Sequence, residues 1–191
     1  IPNSNFVPLQ ANNLELVRKW RNSPRICENM VDRAYITEKA QNVWFERLRL
    51  DETRKYFVYY QDSKPIGLLY FTEISTSNCN WGCYIGEEAV WPGSGIILGL
   101  AALKYVFDVI GIQEIQAQVF DYNVGLIRMH KIFGYTELDD ELLLDENGSD
   151  LSRNLKCFSY NKNDWEVNRL GVVAKLPKQF SNLYESINYE V

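Results

Sequence analysis

The sequence predicts an α/β (α+β) fold: one mixed, mostly antiparallel central sheet with helices on both faces. Three observations support this prediction. Helical periodicity dominates the first fifty residues, three closely spaced β-rich runs follow, and helical and strand patterns then alternate. The resulting order, β-α-α-β-β-β-α-β-α-β, excludes the all-α and all-β classes.

The first part of the chain predicts one short strand and two helices. Phe6–Leu9 reads as an edge strand. Asn12 or Asn13 is in position to cap a first helix, and Thr37 is in position to cap a second. Apolar residues recur at helical spacing after each cap, so both helices have one face that packs against a sheet.

The middle of the chain predicts an antiparallel meander. Its three strands are Lys55–Gln61, Pro65–Ile74 and Cys79–Ile85, and they are rich in Tyr, Phe, Val and Ile. The intervening polar turns are short enough for hairpins, which require antiparallel neighbours.

The remaining chain begins with a long apolar helix that runs from the segment Trp91-Pro92-Gly93-Ser94-Gly95 to Ile110 and stops at Gly111. It continues with a strand, a helix closed by Gly134 and a late strand, at Glu114–Phe120, Val124–Phe133 and Cys157–Tyr160. Residues 1–169 are assigned to this domain. Residues 170–191 lack clear periodicity and are assigned to a C-terminal arm of unknown role.

Composition excludes several classes of protein. With 46% apolar and 14% aromatic residues among 191, the chain can bury a hydrophobic core without disulfide bonds or bound metal ions to stabilise it. The 20 Lys and Arg against 25 Asp and Glu give a net charge of −5, which argues against a nucleic-acid partner. The longest apolar run, near Ile96–Leu103, is too short to cross a membrane. The scattered cysteines and single histidine predict no metal site and suit a cytoplasmic protein.

A glycine loop before the long helix predicts an anion site. Small residues let a phosphate approach backbone N–H groups at a helix N-terminus, where the helix dipole also favours negative charge. Gly95 is followed by Ile96 rather than by the Lys of a P-loop, and Gly99 is one residue too late for a Rossmann fingerprint. A strand–helix turn without a ligand remains the alternative.

A second constellation makes the interpretation specific: a strand end and Asn123, then a short helix, then Phe133-Gly134-Tyr135. Together with the preceding meander and Gly-x-Gly loop, it resembles the GNAT family of acetyl-CoA-dependent N-acetyltransferases. Further segments resemble the PseH-like branch, which acts on amino-sugar nucleotides in pseudaminic acid biosynthesis: Trp20-Arg21-Asn22-Ser23-Pro24, Trp44-Phe45, Tyr56-Phe57-Val58 and Ile66-Gly67.

The resemblance implies where acetyl-CoA, the acetyl donor, would bind. Gly93–Gly95 would hold its pyrophosphate, the backbone near Ile85 would pair with its pantetheine arm, and a strand splayed from Val119 would open a slot for the thioester. The family usually has Gln or Arg where this chain has Val90. Phosphate binding that depends mainly on backbone amides tolerates this departure. The implied cofactor-binding residues are Tyr84, Ile85, Val90, Trp91, Pro92, Gly93, Ser94, Gly95, Ile96, Val119, Asn123 and His130.

Three residues are candidates for catalysis. His130 stands where many family members have a Tyr that protonates the leaving thiolate, and the alternative is a buried histidine satisfied by a backbone carbonyl. Glu73 and Tyr70 are candidates for the general base, because they lie near the expected position of the acceptor amine. They are three positions apart, so a regular strand would direct them to opposite faces unless a bulge intervenes.

The predicted acceptor is the amine of a nucleotide-linked deoxyamino sugar for bacterial surface glycans. Five cations between Arg18 and Arg33 favour a diphosphate. The candidate substrate-binding residues are Trp20, Arg21, Met30 and Trp44. A protein N-terminus, a polyamine or a drug remains an alternative acceptor, a non-catalytic CoA-binding module remains an alternative function, and homo-oligomerisation stays open.

The negative charge is concentrated in one segment. Residues 137–150 contain seven acids and no Lys or Arg, so the rest of the chain has 20 basic residues against 18 acidic ones. This segment is expected to form a solvated hairpin. An acidic hairpin over the acceptor site would favour a cationic acceptor instead of a sugar nucleotide.

Overall fold

The computed structural model describes residues 1–144, 148, 150–180 and 182–190. Its strands are β1 (Ser4–Pro8), β2 (Lys55–Gln61), β3 (Lys64–Thr72), β4 (Asn78–Ile85), β5 (Glu114–Phe120), β6 (Thr136–Glu137), β7 (Glu141–Leu144), β8 (Asp150–Asn161) and β9 (Asn188–Tyr189). Its α-helices are α1 (Leu14–Asn22), α2 (Pro24–Cys27), α3 (Glu38–Leu48), α4 (Ser94–Lys104), α5 (Val124–Phe133), α6 (Lys162–Lys175) and α7 (Leu183–Ser186).

The described strands form one mixed sheet in the order β6-β8-β5-β4-β3-β2-β1-β9, with β7 paired to β8. Most pairs are antiparallel, and β4–β5 and β1–β9 are parallel. The larger core lies between one face of the sheet and α4, α5 and α6, and a smaller one lies under α1–α3 on the other face. The predicted fold class is therefore confirmed.

The meander and several element boundaries agree with the sequence pattern. β2, β5 and α5 have the predicted bounds, and β2, β3 and β4 pair antiparallel in succession. Asn13 is the N-cap residue of α1, and the side chain of Thr37 accepts a hydrogen bond from the Ala40 amide at the start of α3. Gly134 ends α5 in the left-handed conformation, with φ of 91°.

Three predicted elements differ from the structure. The long apolar helix changes at Tyr105 into one π-helical turn, which ends at Val109. β3 stops at Thr72 because Glu73 adopts a left-handed φ of 52° that cannot continue a strand. β8 begins seven residues before the predicted Cys157, where alternating polar residues hid the strand from a pattern based on apolar runs.

The C-terminal residues are part of the same core. The boundary predicted after residue 169 falls within α6, which continues to Lys175. Beyond it, Phe180 and Ile187 are buried in the larger core. β9 then extends the sheet by pairing with β1, with Phe6 opposite Tyr189. A pattern search missed this segment because its anchoring residues are separated by turns instead of helical or strand periods.

No helix in the described ranges combines the length and the apolar character that crossing a bilayer would require.

Replacing Ile187 with Ala tests whether the C-terminal segment stabilises the domain. Ile187 is only 2% exposed, so this truncation is expected to lower the free energy of unfolding by about 3 kcal/mol. Leu170→Ala is the matched control, because Leu170 is 79% exposed and its truncation should change stability by less than about 0.5 kcal/mol. Urea denaturation measures both, and equal effects would show that the segment is not integrated into the core.

Candidate active site

The central feature of the site is the divergence of β4 from β5. These parallel strands pair only from Asn78 and Glu114 to Asn80 and Gln116, although both continue beyond that point. A cavity of about 660 Å³ opens between them. β5 remains paired with β8 on its other side as far as Phe120, so the gap lies on one edge only. The backbone of β4 beyond Asn80 thus has β3 on one side and a free edge on the other.

The structure divides the predicted cofactor-binding residues into two groups. Six of them line the cavity: Tyr84, Ile85, Gly95, Val119, Asn123 and His130. The other six do not line it: Val90, Trp91, Pro92, Gly93, Ser94 and Ile96. This second group forms the loop and the first turn that lead into α4, next to one end of the cavity.

This loop presents backbone donors at the N-terminus of α4. The amides of Gly93 and Gly95 have no hydrogen-bond acceptor among the described residues, whereas the neighbouring amide of Ser94 donates to the carbonyl of Trp91. A Cβ on Gly95 would meet no atom within 4 Å. Free amides, open space and the positive end of the α4 dipole together suit an oxyanion of phosphate type.

The hydroxyl of Ser94 is turned away from this anion position. It donates to the carbonyl of Trp91 at 2.6 Å and accepts from the Gln61 amide at 2.8 Å, and both side chains are buried. Gln61 also donates to the hydroxyl of Tyr59. The Ser94 side chain therefore connects the loop to the buried side chain of Gln61.

His130 is buried in the cavity wall and is only 1% exposed. Its Nδ1 lies 2.8 Å from the carbonyl of Leu126, the i−4 residue, which requires the proton to be on Nδ1. Nε2 then carries a lone pair and has no hydrogen-bond partner among the described residues. Burial lowers the pKa of His130 to about 4, despite the opposing bond to Leu126. The ring is stacked on Phe158 and is neutral near pH 7.

Asn123 caps α5 at the cavity. Its side-chain oxygen accepts a hydrogen bond from the Leu126 amide at 3.3 Å. Its side-chain NH₂ group has no acceptor among the described residues, so it is available to a ligand in the cavity.

Tyr70 reaches the cavity by crossing β4 at a glycine. A Cβ on Gly82 would lie 2.4 Å from the hydroxyl oxygen of Tyr70, so the tyrosine occupies space that only glycine leaves free. Tyr70 stacks on Tyr56, which meets the edge of Trp44. Burial raises the pKa of Tyr70, which keeps the hydroxyl protonated.

Glu73 and Tyr70 line the same cavity, although their spacing predicts opposite faces of a strand. The left-handed backbone at Glu73, just beyond β3, supplies the interruption that this convergence needs. The carboxylate of Glu73 accepts a hydrogen bond from the Asn80 side chain at 2.6 Å. Asn80 is the last residue of β4 that pairs with β5, so the carboxylate is held where the strands separate.

The predicted substrate residues have different environments. Met30 lines the cavity, whereas Trp20, Arg21 and Trp44 do not. Trp20 is buried, packs against Gly86 and donates from Nε1 to Glu87 at 2.8 Å, so contacts within the fold hold its ring.

Arg21 lies near Tyr56, Tyr70 and Tyr84. One of its guanidinium nitrogens donates to the carbonyl of Asp32, and another is buried without a partner among the described residues. Burial raises the pKa values of Tyr56, Tyr70 and Tyr84, and the charge of Arg21 opposes that rise in all three.

Arg25 lines the cavity, although the sequence pattern does not single it out as a site residue. It donates to the carbonyls of Ile85 and Gly86 at 3.0 and 2.8 Å. It thereby places a positive charge at the end of the free edge of β4. The five-cation stretch contains Arg25, but the family motif favours Arg21. Only the fold shows that Arg25 reaches the end of β4.

Two further arginines lie beside Phe120, a residue that lines the cavity. Arg33 and Arg153 lie over the ring of Phe120, at 6.0 and 5.6 Å from its centroid. Arg153 also donates to the carbonyls of Met30 and Val31, at 3.5 and 3.4 Å, which ties the loop after α2 to β8. Arg153 is distant in sequence from the cationic stretch and could not be associated with it before the fold was known.

The described acids of residues 137–150 do not line the cavity. Glu137 and Asp140 form ion pairs with Lys156, at 3.6 and 2.8 Å, and Glu137 also pairs with Lys131. Residues 145–147 and 149 of the predicted hairpin lie outside the described residues, as does the side chain of Asp150. Within the described ranges, no group of three or more His, Cys, Asp and Glu is arranged to hold a metal.

Comparisons with known proteins agree with this geometry. No family profile matches the chain. An acetyltransferase PseH of Campylobacter jejuni is 31% identical over 137 residues, which cover 72% of this chain and 85% of the relative. The crystal structure of the C. jejuni N-acetyltransferase PseH in complex with acetyl coenzyme A is similar with a TM-score of 0.61 at 20% identity. It covers 83% of this chain and 99% of that one.

A Vibrio cholerae spermidine N-acetyltransferase, solved with CoA and spermine, has the same fold with a TM-score of 0.76 at 18% identity. The match covers 85% of this chain and 98% of that one. The sequence relationship and the shared fold lead to one assignment: this chain belongs to the PseH acetyltransferases of the GNAT superfamily and is an N-acetyltransferase that uses acetyl-CoA as its donor.

Proposed function

We propose that the enzyme acetylates the amine of a nucleotide-linked deoxyamino sugar, for pseudaminic acid on bacterial surface glycans. The observation that carries this proposal is the positive charge on the side of the cavity proposed for the acceptor, the acceptor side. Arg25 lines the cavity, and Arg33 and Arg153 lie over Phe120 of its lining. Arg21 lies near the buried tyrosines. None of these four arginines has a carboxylate within 4 Å among the described residues. Their donors meet backbone carbonyls or a tyrosine hydroxyl, so their positive charge is not neutralised. A diphosphate is complementary to this field.

A polyamine acceptor is the second candidate, favoured by the fold similarity to a spermidine acetyltransferase. Polyamines carry several positive charges and need carboxylates to bind. Glu73 is the one carboxylate in the described lining of the cavity, and it is already bonded to Asn80. Unneutralised arginines would repel such an acceptor, which supports the sugar nucleotide over the polyamine.

The donor-binding half of the proposal depends on backbone groups. The free amides of Gly93 and Gly95 would hold the pyrophosphate, and the open edge of β4 up to Ile85 would pair with the pantetheine arm. Asn123 would offer its side-chain NH₂ to the same arm. Acetyl-CoA supplies a reactive thioester carbonyl. The narrowing gap between β4 and β5 would orient that group toward Glu73 and Tyr70.

Glu73 is the proposed general base. An amine must lose a proton to become a nucleophile or while it attacks, and a carboxylate can take that proton directly or through one water. The Asn80 side chain would position the carboxylate by its 2.6 Å bond. Tyr70, which stays protonated, would donate a hydrogen bond to the acceptor instead of removing its proton.

For His130 we propose a role in the cavity wall instead of the general-acid role implied by the family position. The only ring proton of the neutral form is bonded to Leu126, so Nε2 has none to give to a thiolate. A thiol with an ordinary pKa near 8.5 leaves adequately without an acid. Nε2 is then a buried hydrogen-bond acceptor without a partner among the described residues.

The choice of acceptor is tested with a panel of amines at a fixed acetyl-CoA concentration. A UDP-linked 4-amino sugar should be acetylated with a kcat/KM about 100-fold or more above that of spermidine or N-terminal peptides, because the arginines attract the diphosphate and repel cations. Release of the CoA thiol measures the rate. Faster turnover of spermidine would reject the sugar-nucleotide assignment and support the polyamine.

Glu73→Gln tests the general base. Without a proton acceptor, kcat should fall about 100-fold, while the KM for acetyl-CoA changes little. Glu114→Gln is a matched control, because Glu114 also accepts a 2.6 Å hydrogen bond from a side-chain amide but does not line the cavity. A Glu73→Gln enzyme with near wild-type kcat would show that another group or water acts as the base.

His130→Phe tests the role of the histidine through its pH dependence. The pKa of His130 is lowered from 6.5 to about 4 in the folded state, so the unfolded chain binds the proton first as pH falls. Between about pH 7.5 and pH 5, this difference should remove about 2 kcal/mol of the wild-type free energy of unfolding, a loss that the variant lacks.

Urea denaturation of wild type and variant at both pH values measures this loss. The kcat of the variant is expected to stay within about threefold of wild type at neutral pH, because no proton transfer is removed. A 100-fold drop in kcat with unchanged donor KM would instead restore the general-acid role.

A further inference from the structure

The C-terminal segment, described at residues 176–180 and 182–190, contacts the loop that precedes α4. Phe180 is buried, and its ring lies 5.3 Å from the ring of Trp91. Both rings cover Gly93: a Cβ at this glycine would lie 2.0 Å from Trp91 and 2.6 Å from Phe180. Gly93, Trp91 and Phe180 are therefore packed as one unit, with no space for a side chain at residue 93.

The same segment holds α4 at two further points. Near the middle of the helix, the hydroxyl of Tyr189 donates to the carbonyl of Ala101 at 2.8 Å. At its end, the Lys104 ammonium donates to the carbonyls of Tyr184 and Glu185 at 2.9 and 3.1 Å. These contacts fix the helix along its length, and Phe180 acts at the end where the free amides lie.

The loop before α4 is also attached to the protein core through hydrogen bonds. The carbonyl of Trp91 accepts from both the amide and the hydroxyl of Ser94, and Ser94 is in turn bonded to the buried Gln61. The backbone is thus held from the core side by a polar network and from the C-terminal side by an aromatic contact. The amides of Gly93 and Gly95 project from a loop whose conformation is set before any ligand arrives.

We propose that Phe180 is a positioning residue for acetyl-CoA: through Trp91 and Gly93 it fixes the loop amides that receive the donor pyrophosphate. This inference rests on the proposed assignment of the loop to the pyrophosphate. It gives the C-terminal segment a function in donor binding in addition to stability. A preorganised site binds more tightly because the ligand does not have to order the loop.

The test compares two acetyl donors, acetyl-CoA and S-acetyl-pantetheine, which lacks the phosphates. Phe180→Ala should raise the KM for acetyl-CoA about 10-fold with kcat within about twofold, while the KM for S-acetyl-pantetheine is unchanged. Phe180→Leu, which fills more of the space and provides a second variant if the alanine protein fails to fold, should recover most of the acetyl-CoA affinity.

Ile187→Ala is the control for a general loss of stability, because Ile187 is buried in the same segment and is not among the residues that cover Gly93. The ratio of the KM for acetyl-CoA to the KM for S-acetyl-pantetheine should be the same in Ile187→Ala as in wild type. The proposal is overturned if Phe180→Ala raises both KM values equally, changes neither, or acts only on kcat.

A separate arm tests the assignment on which the inference rests. Gly95→Ala adds a methyl group where the protein has open space, so it should retain stability and still raise the KM for acetyl-CoA. If wild type has equal KM values for the two donors and Gly95→Ala has no effect, the loop does not bind the pyrophosphate. That outcome is distinct from a failure confined to Phe180.

Discussion

The loss of pairing between β4 and β5 is the constraint on which the rest of the site depends. Buried N–H and C=O groups without partners cost free energy, so a sheet can open only where other groups or a ligand satisfy them. On the β5 side, pairing with β8 continues to Phe120 and keeps that strand in place. On the β4 side, Arg25 satisfies the carbonyls of Ile85 and Gly86 at the end of the free edge. The remaining edge is a strand-shaped surface, complementary to an extended ligand that carries amides.

Aromatic side chains pack around His130 in the wall of the cavity. Trp81 on β4 and Phe158 on β8 contact His130 at 5.6 and 4.8 Å between ring centroids, so the imidazole packs against side chains from the strands on both sides of β5. A charged imidazolium would be poorly solvated among these rings, so the same packing that buries His130 also lowers its pKa. On the opposite face, Tyr70 crosses at Gly82. The cavity therefore requires bulky rings beside one small residue, and its shape is set before substrate binds.

Much of this arrangement is predictable because local patterns determine it. The meander, the glycine loop and the bounds of α5 follow from periodicity and turn residues, and the family resemblance adds the cavity residues Tyr84, Val119 and Asn123. Contacts between distant segments are not predictable in this way. Arg153 reaches the loop after α2 across more than 120 residues, and Phe180 reaches Trp91 from a segment without any period. The convergence of Glu73 and Tyr70 depends on one left-handed residue, for which a glutamate gives no sequence signal.

The net charge of −5 also requires the structure before it can be interpreted. Part of the acidic excess is neutralised where it occurs, because Lys131 and Lys156 pair with Glu137 and Asp140 away from the cavity. The four arginines named in the proposal have no such partners in the described ranges, and their donors meet carbonyls or a tyrosine hydroxyl, which carry no formal charge. Charge that is not cancelled within about one Debye length, roughly 8 Å at physiological salt, still acts on an arriving substrate. An acidic protein can therefore present a local cationic surface beside this cavity, and the location of the unpaired arginines, not the total charge, supports the proposed sugar-nucleotide acceptor.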